Sequence, residues 1–229
     1  MMIIFGHRGA AGHEPENTVL SVQRGIELGS DWIEVDVYSV EHELVVFHDK
    51  TLGRMTNGRG FLMRKSLAYL RSLDAGKGQK IPFLREIVEA MKGRAGLNIE
   101  LKGPGTAGPV ARFLKGRSSL PGVLVSSFDH AQLRLFRSLE NRIPAGYLFS
   151  KARARDVETA RKAGAFSIHC AMKGLKESIV REAHACGMKV FVFTVNDPAD
   201  LRRMSDMGVD GVFTDYPDRA VRLRLEGRI

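Results

Sequence analysis

The sequence contains few residues of the kinds that mark several common protein classes. Its 229 residues include only two cysteines, Cys170 and Cys186, and one tryptophan. The cysteines have neither metal-finger nor redox spacing, so we interpret both as buried, small apolar side chains. No run approaches the ~20 apolar residues of a membrane span, and the segment before His7 is too short for the apolar region of a secretory signal. The sequence therefore predicts a soluble, cytoplasmic protein.

The charge balance is strongly basic, with a formal net charge of +9. Such an excess is found in proteins that bind nucleic acid or anionic membranes. Here lysine and arginine are spread along the chain without a long basic block, and most fit the surfaces of helices. We therefore expect no nucleic-acid partner and no stable membrane association. The charge would instead help to attract an anionic small-molecule substrate. It leaves the oligomeric state open.

Short apolar runs alternate with longer amphipathic segments along the chain. The apolar runs show little polar alternation, which is typical of strands buried on both faces. Strands are predicted at residues 3–6, 32–38, 97–101, 123–126, 145–148, 166–169, 189–194 and 211–213. Helices are predicted at residues 18–28, 84–91, 109–114, 131–139, 154–163, 177–185, 199–207 and 218–225. Eight such alternations predict an α/β protein with a single (β/α)8 barrel domain over residues 1–229. A doubly wound open sheet is the alternative, but no glycine-rich dinucleotide loop follows a strand.

The alternation is interrupted once, between the second strand and the second helix. Residues 49–81 form a polar passage rich in glycine and arginine. A connection of this length in a compact domain is usually functional or forms a small lid. We therefore expect a small insertion over the mouth of the barrel.

Polar side chains cluster where the predicted strands end, which is where the active site of a (β/α)8 barrel lies. The candidates are His7 and Arg8 after the first strand, Glu34, Asp36 and His48 on or beyond the second, Glu100 and Lys102 at the end of the third, and Ser127, His169, Thr194 and Asn196 after later strands.

Three of these candidates are carboxylates at predicted strand ends. Glu34 and Asp36 are two residues apart and so point to the same side of a strand. Buried carboxylates repel each other unless they are neutralised. A divalent cation with oxygen ligands is the usual remedy, so we expect Mg²⁺ or Ca²⁺, with Mn²⁺ as a third option, held by Glu34, Asp36 and Glu100. The alternative is a salt-bridge network with Arg8 and Lys102.

His7 and His48 form a pair that should reach the same mouth from neighbouring loops. An ordinary histidine pKa near 6.5 allows one neutral base and one protonated acid, so we predict both to be catalytic. The remaining histidines are interpreted as structural, except His169, which either lines the pocket or caps a strand. Arg8 offers a rigid fork of donors that suits two phosphate oxygens.

The order of these residues resembles the glycerophosphodiester phosphodiesterase family over nearly the whole chain. The matching segments are H-R-G at 7–9, P-E-N-T at 15–18, E-V-D at 34–36, V-V-F-H-D at 45–49, I-E-L-K at 99–102, S-S-F at 126–128, F-T-V-N at 193–196 and D-G-V-F-T-D-Y-P at 210–217. The resemblance implies a (β/α)8 barrel and a divalent-metal enzyme that releases an alcohol and sn-glycerol 3-phosphate.

By the same resemblance, the general acid and base fall on His7 and His48, and the metal ligands on Glu34, Asp36 and Glu100. The substrate-binding residues would be Arg8, Lys102, Ser127 and Phe193. Phe193 departs from the family, which often has a tryptophan there, and phenylalanine lacks the indole donor. The turn at residues 39–43 departs as well.

Two other functions are compatible with the pattern. One is a phospholipase D- or C-like activity on lysophospholipids or phosphoinositides. It needs an apolar groove, for which Phe61, Leu62 and Met63 are the candidates. The other is a non-catalytic basic barrel that binds phosphate or nucleic acid, for which the histidines and carboxylates would be unnecessary.

Overall fold

Eight parallel strands close into a barrel in the computed structural model, which describes residues 1–115 and 121–229. The described residues form nine strands, all of which except β3 belong to the barrel: β1 Ile3–Gly6, β2 Trp32–Val40, β3 Glu43–Val46, β4 Gly96–Leu101, β5 Val123–Ser127, β6 Ala145–Phe149, β7 Ser167–Ala171, β8 Lys189–Phe193 and β9 Gly211–Thr214. Strand β1 pairs with both β2 and β9, which closes the barrel. The predicted (β/α)8 fold is confirmed.

Helices lie between consecutive strands of the barrel. They are α1 Val19–Glu27, α2 Leu67–Ser72, α3 Leu84–Met91, α4 Ala107–Leu114, α5 His130–Leu139, α6 Ala154–Lys162, α7 Glu177–Ala185, α8 Pro198–Asp206 and α9 Pro217–Leu225. Except for α2, which the sequence did not predict, their ends agree with the predicted ones within a few residues, as expected for helix termini. Among the described residues, no helix has the length and hydrophobicity to cross a bilayer.

Strand β3 is the strand that the sequence prediction missed. It pairs antiparallel with β2, from Val37 opposite Val46 to Val40 opposite Glu43. The two linking residues, Glu41 and His42, both have positive φ, as a two-residue hairpin requires. Because Asn-Gly or Asp-Gly usually marks such a turn, Glu-His gives no sequence indication of it. The prediction therefore ended β2 too early.

Residues 49–81 pack on this hairpin with a small core of their own. A 3-10 turn at Leu62–Arg64 and helix α2 place Leu62 and Leu70 against Tyr38 and Phe47. This core is separate from the main one between strands and outer helices. The segment is therefore anchored beside the carboxyl end of β2.

The interior of the barrel is divided between apolar and polar halves. Phe5 packs against Phe191 and Phe213, with ring centroids 4.9 and 4.5 Å apart, and Trp32 and Leu124 belong to the same cluster. Successive strand residues face opposite sides, so the next inward residue along each strand lies nearer the mouth. This cluster, which we call the aromatic plug, thus fills the interior near the amino ends of the strands. The interior near their carboxyl ends is left to polar side chains.

Of the two cysteines, Cys170 is buried as predicted, whereas Cys186 is only half-buried at the end of α7. Burial raises the pKa of the Cys170 thiol to about 12, so it behaves as a small apolar group.

Candidate active site

A cavity of about 210 Å³ opens at the carboxyl ends of the strands. Its lining includes most of the residues that the sequence singled out: His7, Arg8, Glu34, His48, Glu100, Lys102, His169, Phe193 and Thr194. These come from separate strand ends that parallel pairing brings to one edge, as in other (β/α)8 barrels.

Gly9 allows the loop after β1 to place His7 and Arg8 there. It has a φ of +92°, and a Cβ at this position would lie 2.4 Å from the Ser21 carbonyl carbon of α1. Any side chain would therefore push the loop away from the helix. The glycine of the H-R-G segment is a geometric requirement of the site.

Glu34, Asp36 and Glu100 form a tight acidic triad. Each offers an oxygen, and these oxygens lie within 4.8 Å of one another. Glu34 Oε2 accepts a hydrogen bond from the Arg8 backbone at 2.9 Å, whereas Oε1 is buried and has no hydrogen-bond partner among the described residues. An unsatisfied buried carboxylate oxygen is costly unless a cation or donor reaches it. The donor set therefore fits a hard divalent cation.

The electrostatics of the triad agree with this interpretation. Burial, together with Asp36 and Glu100, holds the pKa of Glu34 well above its ordinary value. Burial and Asp36 also raise the pKa of Glu100, to about 7. For Asp36, burial is outweighed by Lys102 and Arg8, which keep its pKa below the ordinary value. A bound cation would favour the charged forms of all three.

The salt-bridge network that the sequence left as an alternative exists beside the triad but does not neutralise it. Lys102 Nζ lies 2.8 Å from Glu100 and 3.5 Å from Asp36, and Arg8 Nε lies 3.3 Å from Asp36. Arg8 also donates to Glu16 at 2.7 Å. No lysine or arginine side chain forms an ion pair with Glu34 among the described residues; its contact with Arg8 is to the backbone N–H. The two cations therefore leave Glu34 without an ion pair, to be neutralised by a proton or by a bound cation.

Both mouth histidines are held by an aspartate. His7 Nδ1 lies 2.7 Å from Asp215, and His48 Nδ1 lies 2.6 Å from Asp49. A carboxylate on Nδ1 fixes the ring orientation and tautomer, which leaves Nε2 for proton transfer. Burial, with Arg8 and Lys102, lowers the pKa of His48 despite the opposing effect of Asp36, so His48 is mainly neutral near pH 7.

Asp49 and Asp215 are candidate site residues that reasoning from the sequence did not assign. Asp49 is held by Arg54, which also bonds Glu16, and Asp215 accepts a hydrogen bond from Asn196 Nδ2 at 2.6 Å. Both aspartates lie inside the quoted segments V-V-F-H-D and D-G-V-F-T-D-Y-P, which were the available indication. The pairing of Asp215 with His7 joins distant parts of the chain, whereas Asp49 is the sequence neighbour of His48.

Asn17 is a third residue of this kind; it belongs to the P-E-N-T segment at 15–18 and was given no role in the site. Thr18 caps α1 by accepting from Ser21. Asn17 instead donates to the Asp36 carboxylate at 2.8 Å and accepts from the Asp36 backbone at 3.2 Å. It thereby holds the central acidic residue of the triad in place.

The remaining predicted substrate residues differ in their surroundings. Lys102 and Phe193 line the cavity, and Phe193 packs edge-on against Phe128 at 5.8 Å. The Ser127 hydroxyl is buried and donates to the Leu101 carbonyl at 2.7 Å, while the neighbouring Ser126 lines the cavity. A substrate role for Ser127 stays a prediction.

His169 lies in the cavity floor, against Phe191 and Phe213 of the aromatic plug. A Cβ on Gly146 would come within 2.3 Å of its Nε2, so the glycine makes room for the ring. Nε2 bonds the Ser167 hydroxyl at 2.9 Å. Burial lowers the pKa of His169 to about 3, which keeps the ring neutral in the folded protein.

This burial predicts a dependence of stability on pH. In the unfolded chain His169 takes up a proton near pH 6.5, but in the folded protein only near pH 3, so acidification favours unfolding throughout that interval. His169→Gln should remove about 2 kcal/mol of the stability difference between pH 7 and pH 5. Urea unfolding at the two pH values measures it, with exposed His42→Gln as the control. Equal pH dependence of His169→Gln and wild type would contradict the assignment.

The site occupies the carboxyl-terminal mouth of the barrel, so fold and site together place the protein in the class of (β/α)8-barrel enzymes. Within this class, the model of the glycerophosphoryl diester phosphodiesterase family matches residues 7–219. The chain belongs to this family, as the sequence resemblance implied.

Individual relatives match the chain from end to end. A glycerophosphodiester phosphodiesterase of Caldanaerobacter subterraneus subsp. tengcongensis is 33% identical over 239 residues and covers 98% of each chain. One from Bacillus altitudinis is 34% identical over 243 residues, or 99% of each chain. A solved phosphodiesterase from Oleispira antarctica, in complex with its product sn-glycerol 3-phosphate, is 31% identical with a TM-score of 0.91. That match covers 96% of this chain and 95% of the other.

Proposed function

We propose that the protein hydrolyses small glycerophosphodiesters to an alcohol and sn-glycerol 3-phosphate with the aid of a divalent cation. The observation that carries this proposal is the acidic triad, with its unsatisfied Glu34 oxygen, beside two aspartate-held histidines in one cavity. Family membership and the product bound to the Oleispira antarctica phosphodiesterase support the substrate class. A water-soluble diester is compatible with the cytoplasmic location that the sequence predicts.

Glu34, Asp36 and Glu100 would hold the cation, and their oxygen-only set suits Mg²⁺, Ca²⁺ or Mn²⁺. When bound, such a cation supplies charge stabilisation at the phosphoryl oxygens. Arg8 and Lys102 are cations at the same mouth and would bind the remaining phosphate oxygens. Phe193 and Ser127 would contact the organic part of the substrate.

The histidines would divide the proton transfers. His48, whose pKa burial lowers, would accept the proton of the attacking hydroxyl or water at Nε2. His7 would donate a proton to the leaving alkoxide, while Asp215 stabilises its protonated ring. This assignment accounts for two histidines with separate carboxylate partners.

The direct test is release of sn-glycerol 3-phosphate from glycerophosphocholine by the purified protein. We expect release in the presence of Mg²⁺, Ca²⁺ or Mn²⁺, loss of release with a chelator, and recovery when the cation is added back. Release that persists after chelation and dialysis would overturn the cation requirement. The absence of release with every cation and alcohol tested would overturn the hydrolysis itself.

A lysophospholipid is a second candidate substrate, favoured by one observation. Phe61 and Met63 line a depression of about 180 Å³ together with Lys102 of the active site. Leu62, the third residue considered for a groove, is buried in the core of the insertion and cannot contact an acyl chain. The same assay with lysophosphatidylcholine distinguishes the two substrates, since only a lysolipid gains from this apolar depression.

A further inference from the structure

The basic charge of the protein is concentrated in the insertion beside the cavity. Residues 49–81 contain eight lysines and arginines but only two aspartates and no glutamate, which gives +6 of the net +9. This contrasts with the even spread inferred from the chain as a whole. A cationic surface of this kind attracts anionic partners.

The pairing of these cations shows which of them are available to a partner. Arg54, Arg71 and Lys77 form ion pairs with carboxylates. The other five make no ion pair within the described parts of the chain; they are Lys50, Arg59, Arg64, Lys65 and Lys80. An unpaired cation needs no partner to be displaced before it can bind an anion.

Exposed apolar side chains lie among the unpaired cations. Phe61 is 50% exposed and Met63 41% exposed, and both follow Arg59 closely in sequence. We call the surface formed by Arg59, Phe61, Met63, Arg64 and Lys65 the basic apolar face. Phe61, Met63 and Arg64 also line the depression that contains Lys102, so this face adjoins the active-site mouth.

The positions of these side chains favour a lipid surface over a nucleic acid as the partner. Base stacking needs a free aromatic face, but Arg64 lies over the Phe61 ring at 5.1 Å and Lys65 over the Tyr69 ring at 4.9 Å. Met63 has no aromatic ring at all. At a bilayer, by contrast, apolar side chains enter the interface while long cationic side chains reach the headgroups.

We propose that the basic apolar face binds reversibly to the surface of an anionic phospholipid bilayer, with the active-site mouth beside the headgroups. A few cations and two apolar side chains give a weak, salt-sensitive contact, which differs from the stable association that the sequence argues against. The contact is independent of hydrolysis, so it would bring the enzyme to the lipid surface whichever diester it cleaves.

The test is co-sedimentation of the protein with two kinds of vesicle. One kind contains phosphatidylcholine alone, and the other also contains about 30% phosphatidylglycerol, which gives its surface a negative potential. We expect binding only to the anionic vesicles and loss of binding at high salt. Arg59→Glu with Lys65→Glu should weaken partitioning more than about twentyfold, since each cation near an anionic surface contributes about fivefold. Phe61→Ala with Met63→Ala should weaken it about tenfold.

Matched controls change the same charge and apolar area elsewhere on the surface. Lys92→Glu with Arg134→Glu removes one exposed cation just after α3 and one in α5, and Leu135→Ala with Phe166→Ala removes two exposed apolar side chains. Both controls should bind as wild type, and thermal unfolding verifies that every variant is folded.

Three results would overturn the proposal. The first is that the protein binds neutral vesicles as strongly as anionic ones, the second is that the control variants weaken binding as much as the test variants, and the third is that no binding occurs at low salt. Tighter binding to a DNA duplex than to the vesicles would instead identify a nucleic-acid surface. Because no measurement here involves turnover, failure of this proposal is distinguishable from failure of the proposed hydrolysis.

Discussion

Glu34→Gln is expected to lower hydrolysis by on the order of a thousandfold, because a cation held by the triad supplies several kcal/mol of transition-state stabilisation. Glu34 provides the carboxylate oxygen that has no hydrogen-bond partner among the described residues. An amide in its place keeps the shape but removes the charge. The measurement is kcat/KM for release of sn-glycerol 3-phosphate at saturating cation.

The stability of the same variant should respond to the cation differently from that of the wild type. Without cation, burial and the neighbouring carboxylates hold the pKa of Glu34 far above normal, so the neutral amide relieves repulsion and the melting temperature should stay the same or rise. The wild type should gain about 2.7 kcal/mol when the cation is present at a hundredfold excess over its Kd, whereas the variant should gain little.

Glu140→Gln is the matched control, because Glu140 is also a buried carboxyl but pairs with Arg142 at the end of α5. It should keep both activity and stabilisation by the cation. If the cation stabilises Glu34→Gln as strongly as wild type, the ligand set assigned to the triad is wrong.

His48→Ala and His7→Ala should each reduce kcat by about 10²–10⁴-fold, the usual contribution of a positioned acid or base. The double variant should lose much less than the product of the two effects, because acid and base act in one step. Asp49→Asn and Asp215→Asn should be milder, since they disturb the orientation of each ring while leaving the ring in place.

A substrate with a p-nitrophenolate leaving group separates the two roles. This group departs without a proton, so it should restore most of the activity of the variant that lacks the acid. We expect restoration for His7→Ala and none for His48→Ala, because burial lowers the pKa of His48 and favours the base. Restoration of His48→Ala alone would reverse the assignment.

The barrel could be predicted from the sequence because strand and helix patterns are local. Short apolar runs and amphipathic segments carry their own periodicity, and their alternation limits the topology to very few folds. Strand β3 escaped prediction since its four residues follow a turn of Glu41 and His42, which has none of the usual turn residues.

The acidic triad was predictable for a similar reason. Glu34 and Asp36 are two residues apart on one strand, and parallel pairing places Glu100 directly opposite Asp36. The alternation of side chains along a strand and the parallel register of β2 with β4 therefore bring the three carboxylates together. That Asn17 would hold Asp36 could not be predicted, because a residue before a helix is usually a cap.

The sequence by itself thus determined the barrel, the strand ends that carry the polar residues, and the chemical types available there. Only the tertiary structure decided their partners and protonation. His7 meets Asp215 across 208 positions of sequence, and the shifted pKa values of Glu34, His48 and His169 come from burial and neighbouring charges. The physical reason is that periodicity is encoded in adjacent residues, whereas desolvation and Coulomb energy depend on distances that exist only after folding.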